Sequence, residues 1–114
     1  VIQEFWKYLQ TLVESCRIVL DRPKGTTHPR YYNQPYPVAY GYLEGTVAIY
    51  SAGVDIWVGS LDQKKVIGVL CTVDLLKRDT ELKIIYDCTE DEVEAILKFA
   101  NNSQMRAIYI KRDV

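Results

Sequence analysis

Residues 66–88 read VIGVLCTVDLLKRDTELKIIYDC. Val66 to Leu76 is a long apolar run with β-branched residues, which predicts a strand. Lys77-Arg78-Asp79-Thr80 is polar and ends it. Glu81 to Cys88 is a second strand. Its alternation sets Glu81 and Lys83 on one face and Leu82 and Ile84 on the other. Thr89 follows, with Glu92 three residues later, which is a capping box. Glu90 and Asp91 suit the positive end of a helix dipole. Val93, Ile96, Leu97 and Ala100 form that helix's apolar stripe, and Asn101-Asn102-Ser103 stops it. Met105 to Ile110 is the last strand.

Upstream, Ile2, Phe5, Trp6, Leu9, Leu12, Val13 and Cys16 recur at spacings of three and four, which predicts an N-terminal helix. Arg17 to Asp21 is a short strand, and Arg22 to Pro35 is a loop. Val38 to Ile49 is β-prone and is expected to form one long or bent strand, with Gly41 and Gly45 as bend points. Asp55 to Val58 is a further short strand. The order is thus helix, about five strands, helix, strand. Strands dominate without regular β-α-β alternation, which predicts an α+β fold. On a short chain, five or six mostly antiparallel strands would hide their edges best in a small OB-like barrel, its ends closed by the two helices.

The chain has 114 residues, 48% hydrophobic and 25% charged, which suits a single globular domain over residues 1–114. The net charge of −1 and pI near 5.8 give no bulk electrostatic grip on nucleic acid or anionic membrane. No apolar run is long enough to span a bilayer, and the N-terminus has no signal-peptide pattern. Cys16, Cys71 and Cys88 form no C-x-x-C pair and read as buried free thiols in a reducing cytosol. With His28 the only histidine, a zinc site is poorly supported. Nine tyrosines against two phenylalanines suggest a half-wet cleft. Two tryptophans and two amphipathic helices on so small a domain predict self-association through an uncovered apolar face.

Three groups of residues could carry chemistry. In the loop from Asp21 to Arg30, Arg22, Lys24 and Arg30 supply positive charge, and Gly25, Thr26 and Thr27 supply hydrogen-bond donors. That set could cradle a phosphate, or it could be a solvated surface loop. Asp55, Asp74, Asp79 and Glu81 are acids on strands or strand ends. Neighbouring carboxylates call for a cation, and Mg²⁺ with oxygen ligands would also hold a phosphate. Otherwise they are exposed strand-end charges, except that Asp74 sits among apolar neighbours, where a buried carboxylate needs a partner. Tyr36, Val38, Tyr40 and Tyr42 share a face if their strand is unbroken, either as an aromatic core ladder or with hydroxyls aimed at a ligand.

The run Tyr36-Pro37-x-x-Tyr40-Gly41-Tyr42, then Thr46, then Asp55 before a hydrophobic strand, resembles the soluble (family I) inorganic pyrophosphatases. That family carries Y-P-x-x-Y-G-Y, a threonine and D-G-D-P-x-D, and the spacing matches without a gap from Tyr36 to Asp55. Asp21-Arg22-Pro23 is similar to the family's E-[IV]-P strand end. Arg30 falls at its phosphate-binding lysine, and Gly68-x-Leu70 with Asp74 at its G-x-L strand and next metal aspartate. Glu81-x-Lys83 resembles its D-x-K pair after a two-residue insertion; without the insertion Asp79 takes that acid's place. Arg22-Pro23-Lys24-Gly25, Tyr42 to Thr46 and Asp55 to Ser60 resemble a compact clostridial-type subgroup.

The resemblance implies a cytoplasmic enzyme that hydrolyses pyrophosphate to two phosphates with Mg²⁺ or Mn²⁺. Asp55, Asp74 and Glu81 (or Asp79) would hold metal. Arg30, Lys83, Tyr40 and Lys24 would hold pyrophosphate or another phosphorylated small molecule, with Asp55, Lys83, Arg30 and Tyr40 acting in the reaction. The chain departs from the family at Tyr50 and Ala52, where the family has two aspartates. The alternative implied by that loss is a relative that binds a phosphorylated ligand or a protein without turnover.

Overall fold

The computed structural model describes residues 1–27, 34–48 and 53–113. Helix α1 spans Ile2–Glu14, strands β1 to β5 span Ile18–Arg22, Ala39–Leu43, Asp55–Val58, Val66–Asp74 and Asp79–Tyr86, helix α2 spans Glu90–Ala100, and β6 spans Met105–Lys111. The element order is the expected one, and the fold is α+β.

All six strands form one sheet in the order β1-β2-β3-β5-β4-β6. Every pairing is antiparallel except β3 with β5. The sheet does not close: β1 and β6 are its two edges, so the expected barrel is corrected to an open mixed sheet. The physical reason lies in the central strands. Ile56 and Trp57, Ile84 and Ile85, and Val69 and Leu70 are consecutive pairs, and both members of each are buried. Neighbours along a strand point to opposite faces, so both faces need cover. A small barrel would leave its outer face wet.

The helices provide that cover, one on each face rather than at the ends of a barrel. Trp6, Leu9 and Val13 of α1 pack on Leu43, Ile56 and Ile84. Val93, Ile96 and Ala100 of α2 pack on Trp57, Leu70 and Ile85. Gln10 pins α1 to the start of β4: its Oε1 accepts from Val66 N at 2.9 Å, and its Nε2 donates to Lys64 O at 2.9 Å. The predicted capping box is present at Thr89 and Glu92. Glu92 also accepts from the Ser60 backbone at 3.1 Å, which ties α2 to the end of β3. Burial opposes ionisation of Glu92, but the hydrogen bonds from Thr89 and Ser60 hold its carboxyl below the ordinary value.

The single strand expected over residues 38–49 is instead a five-residue β2 ended by a turn at Glu44-Gly45. Gly45 has φ +83°, a left-handed conformation that suits glycine and breaks the ladder. Gly41 is no bend. It lies mid-strand, where a Cβ would overlap the Val19 carbonyl of β1. Ile49, Tyr50 and Ala52, and with them the departures from the family pattern, lie outside the described residues.

Candidate functional site

Register brings the site together on the α2 face. Tyr40 pairs with Trp57 and Tyr42 with Asp55 across β2 and β3, and Trp57 pairs with Ile85 across β3 and β5. Directly paired residues share a face, so Tyr40, Asp55, Trp57 and Lys83 lie on one side. Three neighbouring strands thus each contribute a polar side chain beside the aromatic core.

Lys83 is the hub. Its ammonium donates to Tyr40 Oη at 2.8 Å, to Asp55 Oδ2 at 2.8 Å and to Glu81 Oε2 at 3.3 Å. These bonds use all three of its donors. The ammonium also sits 5.3 Å from the centre of the Tyr40 ring. The side chains of Lys83 and Asp55 are each 14% exposed and that of Glu81 is 29% exposed. Water therefore reaches the cluster from the Glu81 side.

Burial alone would lower the Lys83 pKa, but the Tyr40 oxygen and the Asp55 carboxylate outweigh it and hold it above the ordinary lysine value. Burial raises the Tyr40 phenol, and a hydrogen bond to Asp55 adds to the effect. Tyr40 is therefore a neutral hydroxyl, and Lys83 a fixed charge, at neutral pH.

Aromatic rings wall this cluster. Tyr40 stacks on Tyr36 at 5.6 Å and meets Trp57 edge-on at 4.6 Å, and Phe99 of α2 closes on Tyr36 and Trp57. Trp57 is 2% exposed, and among the described residues its Nε1 has no hydrogen-bond partner. Arg22, the last residue of β1, pairs with Tyr40 in register and hydrogen-bonds the Tyr36 side chain. This places a second cation on the same face as Lys83, beside Tyr36. Arg22 was expected only as part of the phosphate-cradling loop, and Trp57 and Phe99 were not among the expected site residues.

Tyr40, Asp55, Glu81 and Lys83 thus converge, with Glu81 and Lys83 on one face as their alternation implied. The other acids do not join them. Asp74 pairs with Asp79 at the far end of the β4–β5 hairpin. From strand rise and spacing, the Asp74 backbone is roughly 16 Å from that of Asp55, too far to share one ion. Asp74 instead organises the turn: its Oδ1 accepts from Leu76 N at 2.9 Å and Lys77 N at 3.0 Å. Its neighbours Val73, Leu75 and Leu76 are exposed rather than a buried surround. Among the described residues, no three acidic, cysteine or histidine side chains form a metal group. Asp55 and Glu81 remain as a pair, which is the number of carboxylates that commonly holds Mg²⁺ alongside phosphate oxygens and water.

Lys24 is exposed on the turn after β1, where Gly25 has φ +87°. Gly25 N donates to Tyr36 O, and Tyr36 N donates to Thr26 O, which closes the base of the basic loop beside Tyr36. Arg30 lies outside the described residues. Among the described residues no helix is long and apolar enough to cross a membrane. A scan against protein-family models matches no family, and a search of curated proteins finds no similar one.

Proposed function

We propose that this protein is pyrophosphatase-like and that its Tyr40–Asp55–Glu81–Lys83 cluster takes pyrophosphate, or another phosphorylated small molecule, and hydrolyses it with Mg²⁺. The observation that carries the proposal is the meeting of Tyr40, Asp55, Glu81 and Lys83, from β2, β3 and β5, around one ammonium. These are four of the residues that the motif resemblance singles out, and they are drawn from separate stretches of chain.

Lys83 would turn its ammonium from Asp55 and Glu81 to phosphate oxygens once Mg²⁺ takes those carboxylates, and Arg22 on the same face would hold further oxygens. Tyr40, kept neutral, would donate from its hydroxyl. Asp55 and Glu81 would hold Mg²⁺, which supplies Lewis-acid charge at the phosphate oxygens. Tyr36, Trp57 and Phe99 exclude water from the inner side and strengthen every charge there. Phosphoryl transfer needs chiefly positioning and charge stabilisation, and a preformed network of this kind provides both. We place the activity in the cytoplasm, where the three free thiols would persist.

A second reading, binding without turnover, is favoured by one observation: Asp74 and Asp79 stand apart from Asp55, leaving two acids at the cluster. Phosphate release from pyrophosphate with Mg²⁺ and then Mn²⁺, with Asp55→Asn as control, separates the readings. Turnover lost in the mutant supports hydrolysis. Pyrophosphate that raises the melting temperature with no release above the mutant supports the binder. Neither effect would sink both.

A further inference from the structure

Lys83 stands where a cation shared by Asp55 and Glu81 would have to stand. Its Nζ lies 2.8 Å from Asp55 Oδ2 and 3.3 Å from Glu81 Oε2, and so bridges the two acids of the cluster. Its remaining donor goes to Tyr40 Oη at 2.8 Å, so the ammonium has none left to offer a ligand. A third carboxylate would let a metal ion sit beside the lysine. Asp74 is not that carboxylate, because it caps the far hairpin turn through Leu76 N and Lys77 N. Two acids facing one ammonium can neutralise the lysine or a metal ion, but not both at once.

A Mg²⁺ ion lies about 2.1 Å from each carboxylate oxygen that holds it. One held by Asp55 Oδ2 would be within about 5 Å of Nζ if Lys83 kept its place. Two positive groups that close repel strongly, because Tyr36, Tyr40 and Trp57 wall the inner side from water. Metal alone would have to drive the ammonium off both acids with nothing to receive it. A phosphorylated ligand alone meets the converse obstacle. Lys83 is fully engaged, and two carboxylates against one ammonium leave a net negative charge that repels an anion. Arg22 adds a cation beside Tyr36 but does not release Lys83. When metal and ligand arrive together, the partners exchange: the carboxylates take the metal and the ammonium takes phosphate oxygens. Glu81 is the most exposed member of the ion pairs and can turn first, and the flexible lysine stem can follow.

We propose that Lys83 is an internal counter-ion that keeps divalent metal out of the cluster until a phosphorylated ligand draws the ammonium away, so that metal and ligand enter together. The proposal rests on the cluster being the phosphate site, and it adds the order in which that site fills. The coupling is reciprocal: each raises the affinity of the other by the same factor, at least about tenfold. Lys83 thereby has two opposite effects, weakening metal binding in the free protein and strengthening ligand binding in the filled one.

Equilibrium dialysis of Mn²⁺ against the folded protein tests this, with and without imidodiphosphate, whose bridging nitrogen resists hydrolysis. Retention by Asp55→Asn sets the background. The wild type should hold Mn²⁺ near that background by itself and well above it once imidodiphosphate is added. Lys83→Met should bind Mn²⁺ alone at least about tenfold more tightly than the wild type, and imidodiphosphate should add little. Should methionine prevent folding, Lys83→Gln removes the charge, keeps an amide that can donate to Asp55 and Tyr40, and should show the same tightening. A wild type that binds Mn²⁺ alone as tightly as the folded Lys83 variants would overturn the proposal and leave the phosphate site standing. Folded Lys83 variants that stay at background would also overturn it. A wild type that stays at background even with imidodiphosphate would overturn both the proposal and the metal-dependent function it rests on.

Discussion

Replacing Lys83 by methionine keeps the length of the side chain and removes the charge that Asp55, Glu81 and Tyr40 share. Two carboxylates would then face each other across a half-buried site with no cation. Removing one partner of a buried ion pair costs about 3–5 kcal/mol, because the other charge is left uncompensated. Asp55 is nearly as buried as Lys83, while Glu81 can turn to water. The lower end, about 3 kcal/mol, is therefore expected for Lys83→Met. On a domain of this size that lowers the melting temperature by about 10–20 °C. Asp55→Asn leaves Lys83 with Glu81 and Tyr40 and should cost about 1–2 kcal/mol. The double variant should fall short of the sum by about 1–2 kcal/mol, since the two groups touch. Urea unfolding read by tryptophan fluorescence measures all three, because Trp57 packs on Tyr40. A Lys83→Met cost below about 1 kcal/mol, or strict additivity with Asp55→Asn, would refute the network as described.

Three further outcomes are expected. Burial, helped by the Glu92 charge, pushes the Cys88 thiol up to about 12 from an ordinary 9.0. The folded protein then keeps a proton that the unfolded chain loses. Stability from this source is complete below the unfolded value and falls by about 1.4 kcal/mol per unit as pH rises from 9 toward 12. Cys88→Ala should remove that slope from alkaline urea titrations. Gly41→Ala should cost about 3 kcal/mol or more, because the new methyl overlaps the Val19 backbone; thermal melting checks it. Asp74→Ala should lose about 1 kcal/mol of turn stabilisation while leaving pyrophosphate affinity unchanged, as read by denaturation and calorimetry together. Weakened affinity would return Asp74 to the site.

Much of this structure is legible in residues 66–100. The β4–β5 hairpin, the capping box of α2 and the shared face of Glu81 and Lys83 follow from alternation and spacing, which are local properties. The pairing of β3 with β5 is not local. It sets β5 between β3 and β4, and it is what brings Asp55 to Lys83. Only the burial of both members of Ile56-Trp57 and Ile84-Ile85 signals a sheet covered on two faces. A reading that favours closed edges takes the same residues for a barrel. Asp74 misled for a related reason: an acid among apolar letters looks buried, yet those letters sit on an exposed hairpin tip, where the carboxylate caps a turn. Arg22 was visible as charge on a loop, but its place beside Tyr40 depends on the β1–β2 register.

The most direct test of the central claim is calorimetric titration of pyrophosphate, with Mg²⁺ present, into the wild type and Lys83→Met under conditions where both are folded. The account predicts saturable one-site binding to the wild type and loss of most of that affinity in the variant. Equal binding by both, or no binding by the wild type, would mean that the Lys83 cluster is a buried strut between strands and not a phosphate site.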